Sequence, residues 1–503
     1  MRLLIHNGVL VPRYEWKGFR LLVKGREIKL TSEQEEMAVA WAKKLGTEYV
    51  NDKLFIKNFF KDFCKALNIK EKLLPEDFDF STIQEFNERE RALKLSLSRE
   101  DKKRLAEQRK AERETNKEKY GYAVVDGIRT EIANYMVEPS SIFMGRGKHP
   151  LCGRWKQGAT ERDIVLNLSP DAPIPAGDWK EIVWRPDEMW IAKWRDKLRG
   201  KVKHVWLSDQ SQMKQNADIT KFNKALELED YIEKVREHII SNLESEDPFR
   251  RKIATVCYLI DVLNLRVGDE KEKDEADTVG ATTLRTEHIK INADGLVAFD
   301  FLGKDSVRWH NEVKLPEIVI DNIKEFISEA QSSIFKGVRS SNVALFLGEV
   351  MPGLTAKVFR TYHASGAVKS FLAKVPLKKE DPEYVKKSTA TLANLQAAIV
   401  CNHKRKTPKN WGESFRKKVE RLKKLRSKKT KKAREAAKAL SLNIKVARML
   451  RDYNLRTSLK SYIDPRVYYQ WGKEIDYDWK LYYPKTLQKK FSWVENLDKN
   501  TKS

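Results

Sequence analysis

Residues 404–434 hold sixteen Lys and Arg against two Glu, and that imbalance constrains the fold more than any other feature of the chain. A block of like charge repels itself and cannot be gathered into a compact core. Yet Phe415, Val419 and Leu422 recur at helical spacing, and Ala433, Ala436, Ala437 and Leu440 follow after a polar break at residues 427–430. The pattern predicts an antiparallel helical hairpin that is apolar only along its seam. A solvated basic segment of nuclear-localisation character is the rival reading.

The positive surplus extends beyond this block. Across 503 residues there are 98 Lys and Arg against 72 Asp and Glu, a formal charge of +26. A field of that sign attracts a polyanion, so nucleic acid is the expected partner. A membrane surface, an acidic protein, or the heavily charged exterior of a thermophile would also fit the charge. No run approaches the ~20 apolar residues of a membrane span, and residues 1–12 lack the apolar centre of a signal peptide. A soluble intracellular protein with no membrane contact is expected. Cys64, Cys152, Cys257 and Cys401 are far apart with no Cys-x-x-Cys pair, and so are expected as reduced core thiols rather than zinc ligands or disulfides.

From the N-terminus, strand-like pieces at residues 3–5 and 19–23 lead into a helix capped at Thr31 and running through Met37, Val39, Trp41 and Leu45. Residues 99–119 mix both charge signs with few apolar positions, the pattern of a solvated helix. Residues 144–150 form a loop in which two glycines flank Arg146, with Lys148 beside it, suited to close approach to phosphate. Six of the 13 tryptophans fall within residues 155–206, in alternation expected of a β-rich core. A new unit opens near Ser208, with helices over residues 226–243 and 252–265; the second delivers Arg266, with Gly268 as its capping glycine. An acidic loop follows at residues 269–277. Residues 296–309 read as a β-hairpin with Lys304 near its tip. A helix from Thr355 carries Lys357 and Arg360 three apart, on one face. The next helix, with Leu392, Leu395 and Ile399 as its buried stripe, delivers Asn402 and His403.

Past the hairpin, Tyr462 stands just before a proline-marked turn. A phenol has an ordinary pKa of about 10, so Tyr462 serves as a nucleophile toward phosphorus only where cations hold the phosphate and lower the barrier. The chain has no Walker loop, no His-Glu-x-x-His and no clustered acidic set for paired metals. Side-chain cations must then neutralise the transition state. Arg266 and Arg360 suit bidentate donation to phosphate, His403 can donate to a nonbridging oxygen, and Lys304 can protonate a departing 5′ oxygen.

The motifs Lys57-Asn-Phe-Phe-Lys-Asp62, Gly145-Arg-Gly-Lys-His-Pro150, Asp277-Thr-Val-Gly280, Phe299-Asp-Phe-Leu-Gly-Lys-Asp-Ser306, Gly353-Leu-Thr-Ala-Lys-Val-Phe-Arg-Thr-Tyr362, Cys401-Asn-His403 and Tyr462-Ile-Asp-Pro-Arg466 resemble, in order, those of eukaryotic-type DNA topoisomerase I, the type IB enzymes. The resemblance runs through nearly the whole chain. It implies an α+β multidomain fold: a mixed DNA-binding cap over residues 1–207, and a mainly α catalytic core of tyrosine recombinase/topoisomerase IB type over 208–405. A basic helical-hairpin linker over 406–449 and a small helical C-terminal domain over 450–503 complete it. Cap and core would close as a clamp on duplex DNA, with loops near residues 148–150 and 270–273 as lips.

The resemblance also implies ATP-independent relaxation of positive and negative supercoils through a 3′-phosphotyrosine at Tyr462, with Arg266, Lys304, Arg360 and His403 completing the site. Arg146, Lys148, Lys304, Asp305 and Lys357 would contact DNA. No cofactor is implied: no ATP, and no divalent metal beyond a stimulating one. A monomer is expected, associated with DNA in the cytoplasm or nucleoid of an archaeon, or in the nucleus if the chain is a trimmed eukaryotic protein. Ser461 stands where eukaryotic members carry Asn, which bears on camptothecin sensitivity. Two rivals remain at this point. A tyrosine recombinase typically presents His-x-x-Arg where this chain has Lys357-Val-Phe-Arg360, and a non-catalytic nucleic-acid-binding scaffold would use the basic surface alone.

Overall fold

A computed structural model describes residues 1–71, 73–145, 149–268 and 278–496. The chain divides into two compact units, one from Met1 to Lys214 and one from Gln215 onward.

In the first unit, β1 (Leu4–His6), β2 (Arg20–Val23) and β3 (Arg26–Lys29) precede α1 (Ser32–Ala42) and α2 (Lys53–Ala66). There follow β4 (Phe78–Asp79), α3 (Ser81–Ser96) and α4 (Arg99–Tyr120). Then come β5 (Tyr122–Val125), β6 (Ile128–Glu131), β7 (Ser141–Ile142), β8 (Trp155–Lys156), β9 (Val165–Asn167), β10 (Glu181–Val183), β11 (Trp190–Arg195) and β12 (Val202–Trp206). Thr31 caps α1 in a reciprocal box with Gln34, as its sequence predicts. The helix stops at Ala42, short of Leu45. On α2, Phe55, Phe59, Phe60 and Phe63 are buried, and Phe59 stacks on Trp41 of α1 at 4.7 Å. That cluster is one core of the unit; the second lies under the sheet ordered β10-β9-β11-β12. Helix α4 buries no residue at all, as its charge pattern requires. Of the six tryptophans in residues 155–206, only Trp190 and Trp194 are fully buried. The pleat sends Val205 inward and Trp206 outward, leaving Trp206 39% exposed, so the expectation of a tryptophan core holds only for β11.

The second unit begins with α5 (Gln212–Ser241), which starts well before residue 226. Its first turns show little apolar periodicity because they bury polar groups, Gln215 and Asp218, the latter paired with Lys221 and Lys490. Next come α6 (Pro248–Leu263), a sheet of β13 (Ile289–Ile291), β14 (Leu296–Gly303) and β15 (Val307–Lys314), then α7 (Glu317–Glu329), α8 (Ser340–Gly348), α9 (Ala356–Lys374) and α10 (Glu383–Val400). The buried stripe of α10 is not Leu392, Leu395 and Ile399: Ile399 is 45% exposed. The helix instead buries Ala390, Ala393, Leu395, Ala397 and Ala398. Small side chains let α9 and α10 pack closely, and Ala364, Val368 and Leu372 of α9 share the resulting core.

The basic block forms the hairpin its sequence predicts, α11 (Trp411–Arg426) and α12 (Lys431–Met449). Its thin core is Leu422, Ala437 and Ile444, flanked by Phe415, Val419 and Leu440. Helices α13 (Leu455–Ser461), α14 (Pro465–Glu474) and α15 (Lys485–Lys490) close the unit. The aromatic residues of these helices and the turns around them, among them Tyr468, Trp471, Trp479 and Phe491, share one core with Phe222 of α5 and with α9 and α10. All four cysteines are buried and unbonded. Among the described residues no helix is long and apolar enough to cross a membrane.

Candidate active site

Each site residue is delivered by the end of an element. Helix α6 does not end on Gly268: Asn264 caps it in the left-handed conformation (φ 53°), which turns the chain so that Arg266 leaves the helix axis. Gly268 (φ 80°) has a different task. Its backbone crosses that of Gly280 so closely that a Cβ on Gly280 would lie 2.5 Å from the Gly268 nitrogen and 2.8 Å from the Arg266 carbonyl oxygen. The crossing is tied by Ala281 N–H donating to the Arg266 carbonyl (2.8 Å), and Val279 N–H donates to Leu302 of β14 (2.7 Å). Lys304 opens the turn between β14 and β15, where Gly303 faces Val307 and Ser306 is left-handed (φ 57°). Trp309 stacks on Phe301 at 5.2 Å and stiffens the hairpin base.

Arg360, on α9, is 5% exposed. It donates to the carbonyl of Asn264 and, at 2.8 Å, to that of Cys401, joining the ends of α6 and α10. Helix α10 ends in a Schellman arrangement. Asn402 is left-handed (φ 50°), its N–H donates to Ile399 (2.9 Å), and the His403 N–H donates to Ala398 (2.8 Å). The His403 carbonyl in turn accepts from Asn454 N–H, at the cap of α13 (2.7 Å). Tyr462 terminates α13, and Pro465 with its cap Asp464 opens α14. Between the two helices, Ser365 of α9 donates to the Tyr462 carbonyl (3.2 Å) and accepts from the Asp464 N–H (3.0 Å).

These side chains converge. Arg266 Nη1 donates to the Tyr462 hydroxyl at 3.0 Å. The Arg360 guanidinium carbon lies 5.1 Å from the centre of the Tyr462 ring, and the His403 ring lies 5.3 Å away. Arg266, Lys304, Arg360 and His403 line one cleft with Asn402 and Lys404. Burial alone would push the Tyr462 phenol up, but the charges of Arg360 and Arg266 and the Arg266 hydrogen bond outweigh it and bring it below its ordinary value. His403 is driven down to about 3, by burial first and then by the same two guanidiniums, and is therefore neutral. Neither ring nitrogen of His403, nor Arg360 Nε, has a hydrogen-bond partner among the described residues. Buried donors left open carry a desolvation cost of about 1–3 kcal/mol each, which an anion in the cleft would relieve.

Lys357 does not join the cleft. It is exposed on α9 while Arg360, one turn on, is buried, so the two cations do not share one face. Arg146, Lys148 and the loop at residues 269–277 lie outside the described residues, as does the side chain of Asp305. Asn264, Ser365 and the Cys401 carbonyl, which hold the site together, were not anticipated. Asn264 alone carried a local signal, an Asn suited to the left-handed cap of a helix.

Three family models match the chain: eukaryotic DNA topoisomerase I, DNA binding fragment, over residues 1–207; eukaryotic DNA topoisomerase I, catalytic core, over 210–438; and C-terminal topoisomerase domain over 420–503. Among curated relatives, DNA topoisomerase 1 beta of Arabidopsis thaliana is 34% identical over 539 residues, covering 98% of this chain and 58% of the relative. The mitochondrial DNA topoisomerase I of Rattus norvegicus is 33% identical over 541 residues, and that of Homo sapiens 32% over 543, each covering 98% of this chain and 90% of the relative. The chain thus spans a little over half the length of the plant relative and nine-tenths of the mitochondrial ones. Matches end to end, at this identity and over this share of the mitochondrial proteins, establish that the chain belongs to the eukaryotic DNA topoisomerase I family.

Proposed function

We propose that the chain is a type IB DNA topoisomerase that relaxes positive and negative supercoils in duplex DNA without ATP. The observation that carries this reading is the Tyr462 hydroxyl held by Arg266, beside the cleft that Arg266, Lys304, Arg360 and His403 line, with the His403 ring nitrogens and Arg360 Nε buried and without a partner among the described residues. The Tyr462 oxygen attacks a DNA phosphorus, its proton passing to solvent, and a phosphorus–Oη bond forms as the bond to the 5′ oxygen breaks. Lys304 gives the departing oxygen its proton. Arg266, Arg360 and His403 donate to the nonbridging oxygens, where charge builds in the transition state. One phosphodiester is exchanged for another, so no external energy source is needed. Torque turns the downstream duplex about the intact strand, and attack by the 5′ hydroxyl reseals the break.

Lys148, Arg146, Lys357 and Asp305 are assigned to DNA contact, and the α11–α12 hairpin to the duplex beyond the cut. The enzyme acts as a monomer on DNA, with no required metal. The test is relaxation of plasmids of both supercoil signs in EDTA without ATP, with Tyr462→Phe alongside. Wild type should relax both, and the variant neither while keeping its DNA affinity. Relaxation by Tyr462→Phe would mean that another residue is the nucleophile.

A further inference from the structure

Asp261 lies three residues before Asn264 on α6, is 5% exposed, and is held through both oxygens. Arg236 Nε, from α5, donates to Oδ2 at 2.8 Å. His363 Nε2, from α9, lies 2.7 Å from Oδ1. An ionised carboxylate only accepts, so His363 carries its proton on Nε2 and donates it. Burial alone would raise the Asp261 carboxyl, but the hydrogen bonds from His363 and Arg236 outweigh it and hold the group below its ordinary value. Tyr258 and Tyr362 are the other titratable groups facing it. The mechanism above uses none of these residues.

Their position relative to the site is specific. His363 follows Arg360 by three residues on α9, as Asn264 follows Asp261 by three on α6. Two contacts one helical turn apart therefore lock α6 against α9: Asp261 with His363, and the Asn264 carbonyl with Arg360. Arg266 emerges two residues beyond Asn264. If α9 slipped along α6, Arg360 and Arg266 would no longer meet at the same phenol.

We propose that Asp261 and His363 are positioning residues, whose pairing sets the register of α6 and α9 so that the guanidiniums of Arg266 and Arg360 converge on Tyr462. The consequence for DNA cleavage rests on the reading of Tyr462 as nucleophile; the placement itself does not.

The experiment compares His363→Leu, which removes the donor, with His363→Gln, which returns an N–H near the same place. The first readout needs no DNA: the titration of Tyr462 in the full chain by NMR of ring-labelled tyrosine, assigned with Tyr462→Phe. The charged groups that face this phenol are Arg266 and Arg360, with neutral His403 beside them. With the arginines displaced, Tyr462 should titrate at higher pH in His363→Leu and return toward wild type in His363→Gln. The second readout is single-turnover cleavage of a suicide duplex, expected to slow roughly tenfold in His363→Leu with unchanged DNA affinity, with its pH profile shifted upward, and to recover in His363→Gln. An unmoved titration in His363→Leu, or failure of His363→Gln to restore it, overturns the proposal. If the titration moves as expected while wild type cleaves no DNA, the topoisomerase reading fails and the positioning role stands. Should His363→Leu melt below the assay temperature, Asp261→Asn, of equal size but uncharged, takes both readouts.

Discussion

Buried first of all, and with two guanidiniums near it, His403 stays uncharged until about pH 3, and among the described residues neither ring nitrogen has a partner. On the proposed function, it then offers one N–H to a phosphate oxygen without adding charge to the cleft. The same burial couples it to stability. Between its ordinary 6.5 and the folded value of about 3, the unfolded chain binds a proton that the native chain does not, so this group's share of stability is present above pH 6.5 and is lost progressively as pH falls toward 3. His403→Gln should flatten the acid limb of a Tm-against-pH curve, and His403→Ala should slow single-turnover cleavage roughly 100-fold, the usual cost of one transition-state donor. His403 and its companions were legible because each sits in a recognisable motif. Ser365 acts through contacts to backbone that no motif encodes, and Asn264 offered only the general signal of an Asn suited to a left-handed cap. Lys357 and Arg360 show the limit of spacing: three residues place two side chains on adjoining flanks of a helix, and only tertiary packing decides that one is buried and the other exposed.

Among the elements, the α11–α12 hairpin was the easiest to anticipate, because charge left its few apolar residues a single seam. The α10 stripe escapes notice because alanines are only weakly apolar, although Ala390, Ala393 and Ala397 line the core that α10 shares with α9. Ala397→Leu should force α9 and α10 apart and cost about 1–3 kcal/mol, read as a drop in the denaturation midpoint. The hairpin is closed at its base by Arg405 N–H donating to the Asp452 carbonyl (2.8 Å) and by a bridge of Lys404 with Tyr453. Replacing residues 411–449 by a short link should thus leave the cleft intact. The measurement is DNA affinity against salt: the slope of log K on log salt should fall by about 0.9 for each phosphate contact removed, with the single-turnover cleavage rate little changed. Loss of cleavage in a folded deletion variant would assign the hairpin a part in the chemistry.

At the scale of the whole chain, the cores of the first unit, among the described residues, draw on residues up to Leu207. A fragment from Met1 to Lys214 should accordingly fold alone and melt cooperatively by circular dichroism, bind duplex DNA in a salt-sensitive way, and cut nothing. The second unit has no such independence along its length. Phe222 of α5 and the facing sides of α9 and α10 are completed by aromatic residues that come after the hairpin. Translation reaches those residues late. A ribosome that stalls within α11 or α12 releases a chain bearing Arg266, Lys304, Arg360 and His403 but lacking Tyr462, with much of a core open to water. On the proposed function, such unfinished copies cleave no DNA, and the apolar surface they expose marks them for chaperones and proteases.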